Sequence, residues 1–451
     1  MVTSDEVGIE AFGYKSELRR SLSTRDLIVY GMVFMVPISP WGVFGFVWHD
    51  AKGMVPLAYL IGLVGMFFTA LSYAAMSRAF PIAGSVYAYA RYGIHEVVGF
   101  FSGWLILLDY ILIPALIYLF AAVPLKPLFP HVPEDVWIAA FVIFNATVNL
   151  IGIRLTARVN FYLLTIELAA LALFIVVGLV ALYSGVGAGR LTLAPIYNPR
   201  AFSLSMVAGA TSIAVLSFLG FDGISTLSEE TRDGRESVGR ATLIALLLVG
   251  VLYMAQSWIA SDLARGMTFS SLATAFYQIA GRIGGSWLRD TTILVSSVAA
   301  GIANAMAAQA AVSRVLFSMA RDGKLPGALA IIHPRFQTPY VSTLVVAMIS
   351  LVVGLFFAER IDDLTRIVNF GALTGFVMLH LSVINHYFIR QRTGRWVRHL
   401  LVPVLGLAVI TYVLYETDRM AKVMGACWIA IGVIYYLVLT MVLKKSARLQ
   451  V

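Results

Sequence analysis

From Asp26 onward the chain alternates apolar runs with short polar connections. A run of about 20 residues is long enough, as a helix, to cross the roughly 30 Å of hydrocarbon in a bilayer. The pattern predicts twelve spanning segments, numbered one to twelve, at 26–48, 56–80, 95–123, 134–152, 159–183, 204–228, 237–262, 287–318, 339–358, 363–389, 397–415 and 422–443. Strands of a membrane barrel would be shorter and would alternate apolar with polar positions, so an all-α membrane protein is expected. Two segments are interrupted. Segment one carries Pro37-Ile38-Ser39-Pro40-Trp41-Gly42 at its middle, where two prolines remove backbone donors and disfavour helix at the residues before them. Segment six carries Ser217-Phe218-Leu219-Gly220-Phe221-Asp222-Gly223, two glycines bracketing an acid, where helix propensity is low. Unwound backbone at membrane depth is tolerated only inside protein or beside a water-filled cavity, so both breaks are expected to face one shared cavity. Segments one and six open two successive units of five, the arrangement of an inverted repeat, although no identity between the halves is visible. Kinks and close packing are the alternative use of such prolines and glycines.

Composition sharpens this picture. Of 451 residues, 60% are hydrophobic and 13% charged, whereas a soluble domain carries roughly 25% charged residues. The formal charge of +9 does not point to nucleic acid, because the cations are scattered through the short connections. An even number of segments puts both ends of the chain on one side. Of the 33 Lys and Arg residues, 22 fall on that side, Lys15, Arg19, Arg235, Lys444, Lys445 and Arg448 among them, and 11 on the other. That bias predicts cytoplasmic termini and a multi-pass location in the cell inner (plasma) membrane. Met1 to Arg25 is polar, with no cleavable signal peptide apparent. The single Cys427 forms no internal disulfide, and histidines such as His380 and His386 lack metal-ligand spacing, so neither a metal nor a cofactor is expected. An enzyme would need a clustered nucleophile and base, and no such spacing occurs.

The candidate chemistry is concentrated in three acids at membrane depth. A carboxylate near the bilayer centre costs about 2.5 kcal/mol or more, so it normally faces a cavity or a partner. Asp109 lies in segment three, Glu167 in segment five and Asp222 in the break of segment six, none with a basic residue close in sequence. Asp222 is the candidate counter-charge for a cationic substrate. Glu167 is the candidate proton carrier, since apolar surroundings penalise its anion, and Asp109 is open between the two roles. A neutral, hydrogen-bonded structural acid is the alternative for each. Trp41, Tyr110, Phe218, Phe221 and Tyr89 lie near the breaks, where a ring face covers a cation, though packing is the commoner use. Ile38, Ser39, Gly42 and Gly220 carry break backbone to the cavity. Asn304 in segment eight and Asn369 with Thr374 in segment ten either line it or bond helices together.

Three motifs tie these features together: Arg78-Ala79-Phe80-Pro81-Ile82-Ala83-Gly84-Ser85-Val86-Tyr87 after segment two, Phe218 to Asp222 followed by Leu227-Ser228-Glu229-Glu230-Thr231, and Ser313-Arg314 with Met319-Ala320-Arg321-Asp322-Gly323-Lys324-Leu325-Pro326. With them the chain resembles the amino acid, polyamine and organocation superfamily along nearly its whole length. Within it, Gly103-Trp104, Leu108-Asp109-Tyr110 and the run from Phe218 to Thr231 are most similar to bacterial putrescine importers.

The resemblance implies a LeuT-type 5+5 inverted repeat with discontinuous helices one and six. The repeats are 26–183 and 204–389, with two extra helices at 397–443, a cytoplasmic segment 1–25 and a cytoplasmic tail 444–451. It implies a secondary transporter, proton-coupled, that imports a small cationic amine such as putrescine by alternating access. A general amino-acid permease or exchanger is the alternative. The implied partners are a small amine or amino acid, protons and the lipid bilayer. Three departures bear on the substrate. Amino-acid carriers of the superfamily have a Gly-Ser-Gly-type break whose bare amides hold a carboxylate, where this chain reads Ile38-Ser39-Pro40-Trp41-Gly42. Many carry a lysine at the position similar to Glu167, and putrescine importers carry an acid where this chain has Gly42.

Overall fold

A computed structural model describes residues 20–442 apart from 152, 235, 359 and 418. Lys15, Arg19, Arg235, Lys444, Lys445, Arg448 and the tail 444–451 lie outside the described residues. Among the described residues the chain is helical, and its β-type pairing is an isolated parallel bridge between Leu22 and Thr231. Ten helices are long and apolar enough to cross a membrane, and the bent pair Thr24–Met35 and Pro40–Asp50 makes eleven. Tyr340–Phe356, in the place of segment nine, is a shorter apolar helix of 17 residues.

Both expected breaks are present. Segment one leaves helical geometry after Met35, places Val36 at φ 53, and restarts at Pro40 with a bend of 50°. Proline at the first position of the new helix needs no donor and is preset for helical φ. Segment six is α-helical over Leu204–Ala214, tightens to 3₁₀ over Val215–Phe218, turns at Gly220 with φ +116, and continues as 3₁₀ over Phe221–Glu230. Gly220 is required twice. Its φ disfavours any side chain, and a Cβ would meet the Phe34 ring at 2.7 Å. Gly31 against Ile224 and Gly223 against Phe34 are equally close. In lipid, where burial of apolar surface drives little helix association, such small residues let segments one and six touch.

Two helices were not apparent as apolar runs. Ser85–Gly93, almost wholly buried, packs on segments three and ten. Segment eight begins at Ala275 rather than 287, because Gly285 at φ 71 separates an amphipathic first piece from the apolar helix. That piece lies on Pro40–Asp50, with Phe276 stacked on Trp41 at 5.0 Å. Further on, segment eight widens into a π-helical turn over Ala299–Asn304. Segment three is clasped to segment twelve by a reciprocal pair: the Trp104 indole donates to the Trp428 carbonyl at 2.8 Å and the Trp428 indole to the Trp104 carbonyl at 2.7 Å.

Candidate functional site

Segment seven holds the two breaks together. The Tyr253 hydroxyl reaches three carbonyls at the breaks: Met35, Val36 at 3.0 Å and Ser217 at 2.6 Å. Gln256 Nε2 donates to the Pro37 carbonyl at 2.8 Å. These bonds explain how Val36, a β-branched residue, is kept at positive φ. The amides of the breaks turn inward. Ser39, Trp41 and Gly42 donate to the carbonyls of Val36, Ile38 and Ser39, Leu219 to Leu216, and Gly220 to Asp222 Oδ1.

Between the breaks lies a small cavity of about 70 Å³. Segment one contributes Phe34, Met35, Val36, Ile38, Ser39, Gly42 and Val43, segment six Leu216, Ser217 and Leu219, segment three Ile113, Leu116, Ile117 and Phe120, and segment eight Ser296, Ala300 and Asn304. The π turn brings Asn304 to this wall with its Oδ1 buried and unpaired. Segment four supports the turn from behind, where Asn145 Nδ2 donates to the Gly301 carbonyl at 2.7 Å. Among the described residues on the wall none is charged.

The predicted residues divide accordingly. Ile38, Ser39, Gly42 and Asn304 are on the wall. Trp41 is off it, 1% exposed between Phe276 and Phe174. Phe218 packs on Tyr59 and Tyr253, and Phe221 on Tyr73 and Phe376, while Tyr89 sits edge-on to Tyr73. Asp222 and Tyr110 come together: the Tyr110 hydroxyl donates to Asp222 Oδ2, while Oδ1 accepts from the Gly220 amide at 3.2 Å. Asp222 therefore ties segment three to the break of segment six, just off the cavity wall. Asp109 is buried against Gly371 of segment ten, with Oδ1 unpaired. Glu167 is 1% exposed with both carboxyl oxygens unpaired. Thr374 bonds its own helix at the Phe370 carbonyl, whereas Asn369 donates to the Ser212 carbonyl at 3.2 Å and joins segment ten to segment six. Sequence reasoning missed Tyr253, Gln256, Ser217 and Ser296. Ser217 lay within the quoted break, but the others are single polar groups inside continuous apolar helices and carry no local signal.

The end of the bundle that bears the N-terminal residues is closed by ion pairs. Arg314 pairs with Glu230, Arg321 with Glu229 at 2.9 Å, Arg91 with Asp322, and Lys324 with Glu96 at 2.9 Å. Glu229 also accepts from the Ala83 amide at 3.0 Å. The chain at Ser21 and Leu22 donates to the Glu230 carbonyl, and Thr24 donates to Asp233 from its amide at 2.6 Å and from its hydroxyl at 2.9 Å. Outside the membrane-spanning segments, those two bonds hold the Asp233 carboxyl below the usual carboxylate range.

A multi-helix bundle with two broken helices meeting at an internal cavity, barred at one end by ion pairs, is the architecture of a membrane transporter. Residues 43–444 match the amino acid permease family, and the chain belongs to it. The low-affinity putrescine importer PlaP of Escherichia coli is 31% identical over 93% of this chain and 93% of its own. The branched-chain amino acid permease BcaP of Bacillus subtilis is 26% identical over 95% and 94%, and the methylthioribose transporter of the same organism 25% identical over 95% and 95%.

Proposed function

We propose that this transporter imports small cationic amines, a class that includes putrescine, by proton-coupled alternating access across the cell inner membrane. The observation that carries the reading is the polarity of hydrogen bonding at the cavity. Pro37 and Pro40 have no amide to offer, and the amides of Ser39, Trp41, Gly42, Leu219 and Gly220 are all occupied within the breaks. What remains unpaired on the wall is an acceptor, Asn304 Oδ1, beside the Met35, Val36 and Ser217 carbonyls that share the single proton of Tyr253. An ammonium carries donors and no acceptor, whereas a carboxylate needs donors. A putrescine importer among the relatives supports the same class.

In this reading Ile38, Ser39, Gly42 and Asn304 receive the amine, and Asp222 with Tyr110 supplies the counter-charge next to the wall. Trp41, Phe218, Gly220 and Phe221 set the shape of the breaks. Glu167 or Asp109 carries the proton, each having an unpaired carboxyl oxygen and standing off the cavity wall. Segments 26–183 and 204–389 are the two inverted repeats and 397–443 the added pair, with both termini cytoplasmic, so the ion-paired end faces the cytoplasm. A second reading, an amino-acid permease, is favoured by the branched-chain permease among the relatives and by the aliphatic wall.

Uptake into proteoliposomes separates the two. Saturable amine uptake that an uncoupler abolishes, lost in Asp222→Asn with the folded protein intact in detergent, is the expected result. Displacement of labelled substrate by leucine or alanine but not by amines would establish the second reading instead.

A further inference from the structure

We infer that, within the amine class proposed above and resting on that reading, the cavity selects a primary monoamine with an apolar body over a diamine of the same length. The wall has two unlike parts. Ser39, Ser217, Ser296 and Asn304 give it hydroxyl and amide groups. The rest of the wall, with Val43, Ile113, Leu116, Ile117 and Phe120 in it, is aliphatic and aromatic. One ammonium is well received at the first part. A second would have to lie against the apolar face, where nothing replaces its water.

The acids do not remove that difficulty. Asp222 already accepts from Tyr110 and from the Gly220 amide. Asp109 stands behind it against Gly371, and Glu167 is off the wall. Asp222 thus serves one cationic end, and among the described residues no carboxylate stands on the wall for another. An alkyl group gains on the same face by leaving water.

Gly42 offers a direct way to reverse the preference. It lines the cavity, and a Cβ there would meet only Phe120 Cδ1, at an ordinary 3.8 Å. It is also the third residue of the helix Pro40–Asp50, where the helix N-terminus favours an anion. Gly42→Asp therefore places a carboxylate beside the apolar face without a clash.

The test pairs n-butylamine with 1,4-diaminobutane, which differ only in the second ammonium, with leucine as a third ligand. Each is titrated against the full-length protein in detergent, read as a thermal shift, and in competition for uptake. On the wild-type chain n-butylamine is expected to act at a concentration at least tenfold lower than the diamine, and Gly42→Asp to move that ratio at least tenfold toward the diamine. A diamine equal to or better than n-butylamine on the wild-type chain overturns the inference while leaving amine transport standing. A folded Gly42→Asp protein with an unchanged ratio overturns the assignment of the apolar face to the tail. Action of leucine with neither amine active, or no amine effect at all, overturns the underlying amine reading. If the variant does not fold, the wild-type ratio decides alone.

Discussion

Tyr253→Phe removes one oxygen from the bundle and leaves the ring on Tyr59 and Phe218, at 5.4 and 5.1 Å, in place. That hydroxyl has a single proton, yet it serves carbonyls from both breaks, Met35 and Val36 of segment one and Ser217 of segment six. Without it, at least one carbonyl in the apolar interior loses its donor, which costs about 1–3 kcal/mol. Charged against the geometry in which the breaks are held together, that is a factor of roughly 5 to 150 in its ratio to the alternatives. Apparent affinity falls in proportion to the competent fraction, so half-saturation of uptake is expected to rise by up to that factor while expression is retained. Tyr59→Phe is the control. Its hydroxyl meets only the Ser217 hydroxyl, at 3.0 Å, a group that can rotate to another partner, so its effect should be the smaller. Uptake kinetics and apparent melting temperature in detergent measure both. Unchanged values for Tyr253→Phe would mean that ring packing alone holds the breaks, and the account of segment seven given above would be refuted.

Two further outcomes are expected. Glu167→Gln should retain amine binding in detergent but lose uncoupler-sensitive accumulation; accumulation at the wild-type level would leave Asp109 as the proton carrier. The Asp233 carboxyl, lowered by the Thr24 amide and hydroxyl, contributes stability that is present above its unfolded value and lost as pH falls through the lower folded value. Protection of the amides at residues 20–24, measured as exchange relative to the intrinsic rate at each pH, should therefore be high at neutral pH and fall in acid, and be low throughout in Asp233→Asn; wild-type protection that does not change with pH would contradict this.

What the sequence made legible was whatever the backbone alone decides. Pro37 and Pro40 end a helix whatever surrounds them, and Gly220 between Leu219 and Phe221 marks a place where a side chain would not fit, so both breaks could be placed from local chemistry. The runs themselves followed from apolarity, but the amphipathic helix that opens at Ala275 did not, because Arg282 and three glycines dilute its hydropathy. The hidden parts depend on which helices meet. Tyr253 and Gln256 are ordinary residues of an unbroken helix until the carbonyls of Met35, Val36 and Pro37 arrive beside them. The three acids show the same limit. Each stood out as costly at membrane depth, yet nothing local told that Asp222 would be bonded by Tyr110 while Glu167 stayed bare. That contrast bears on function. A carboxyl already hydrogen-bonded next to a cavity can exchange one donor for another as a ligand enters. A bare one gains most by holding a proton of its own, and so the two acids suit different halves of the coupled cycle we propose.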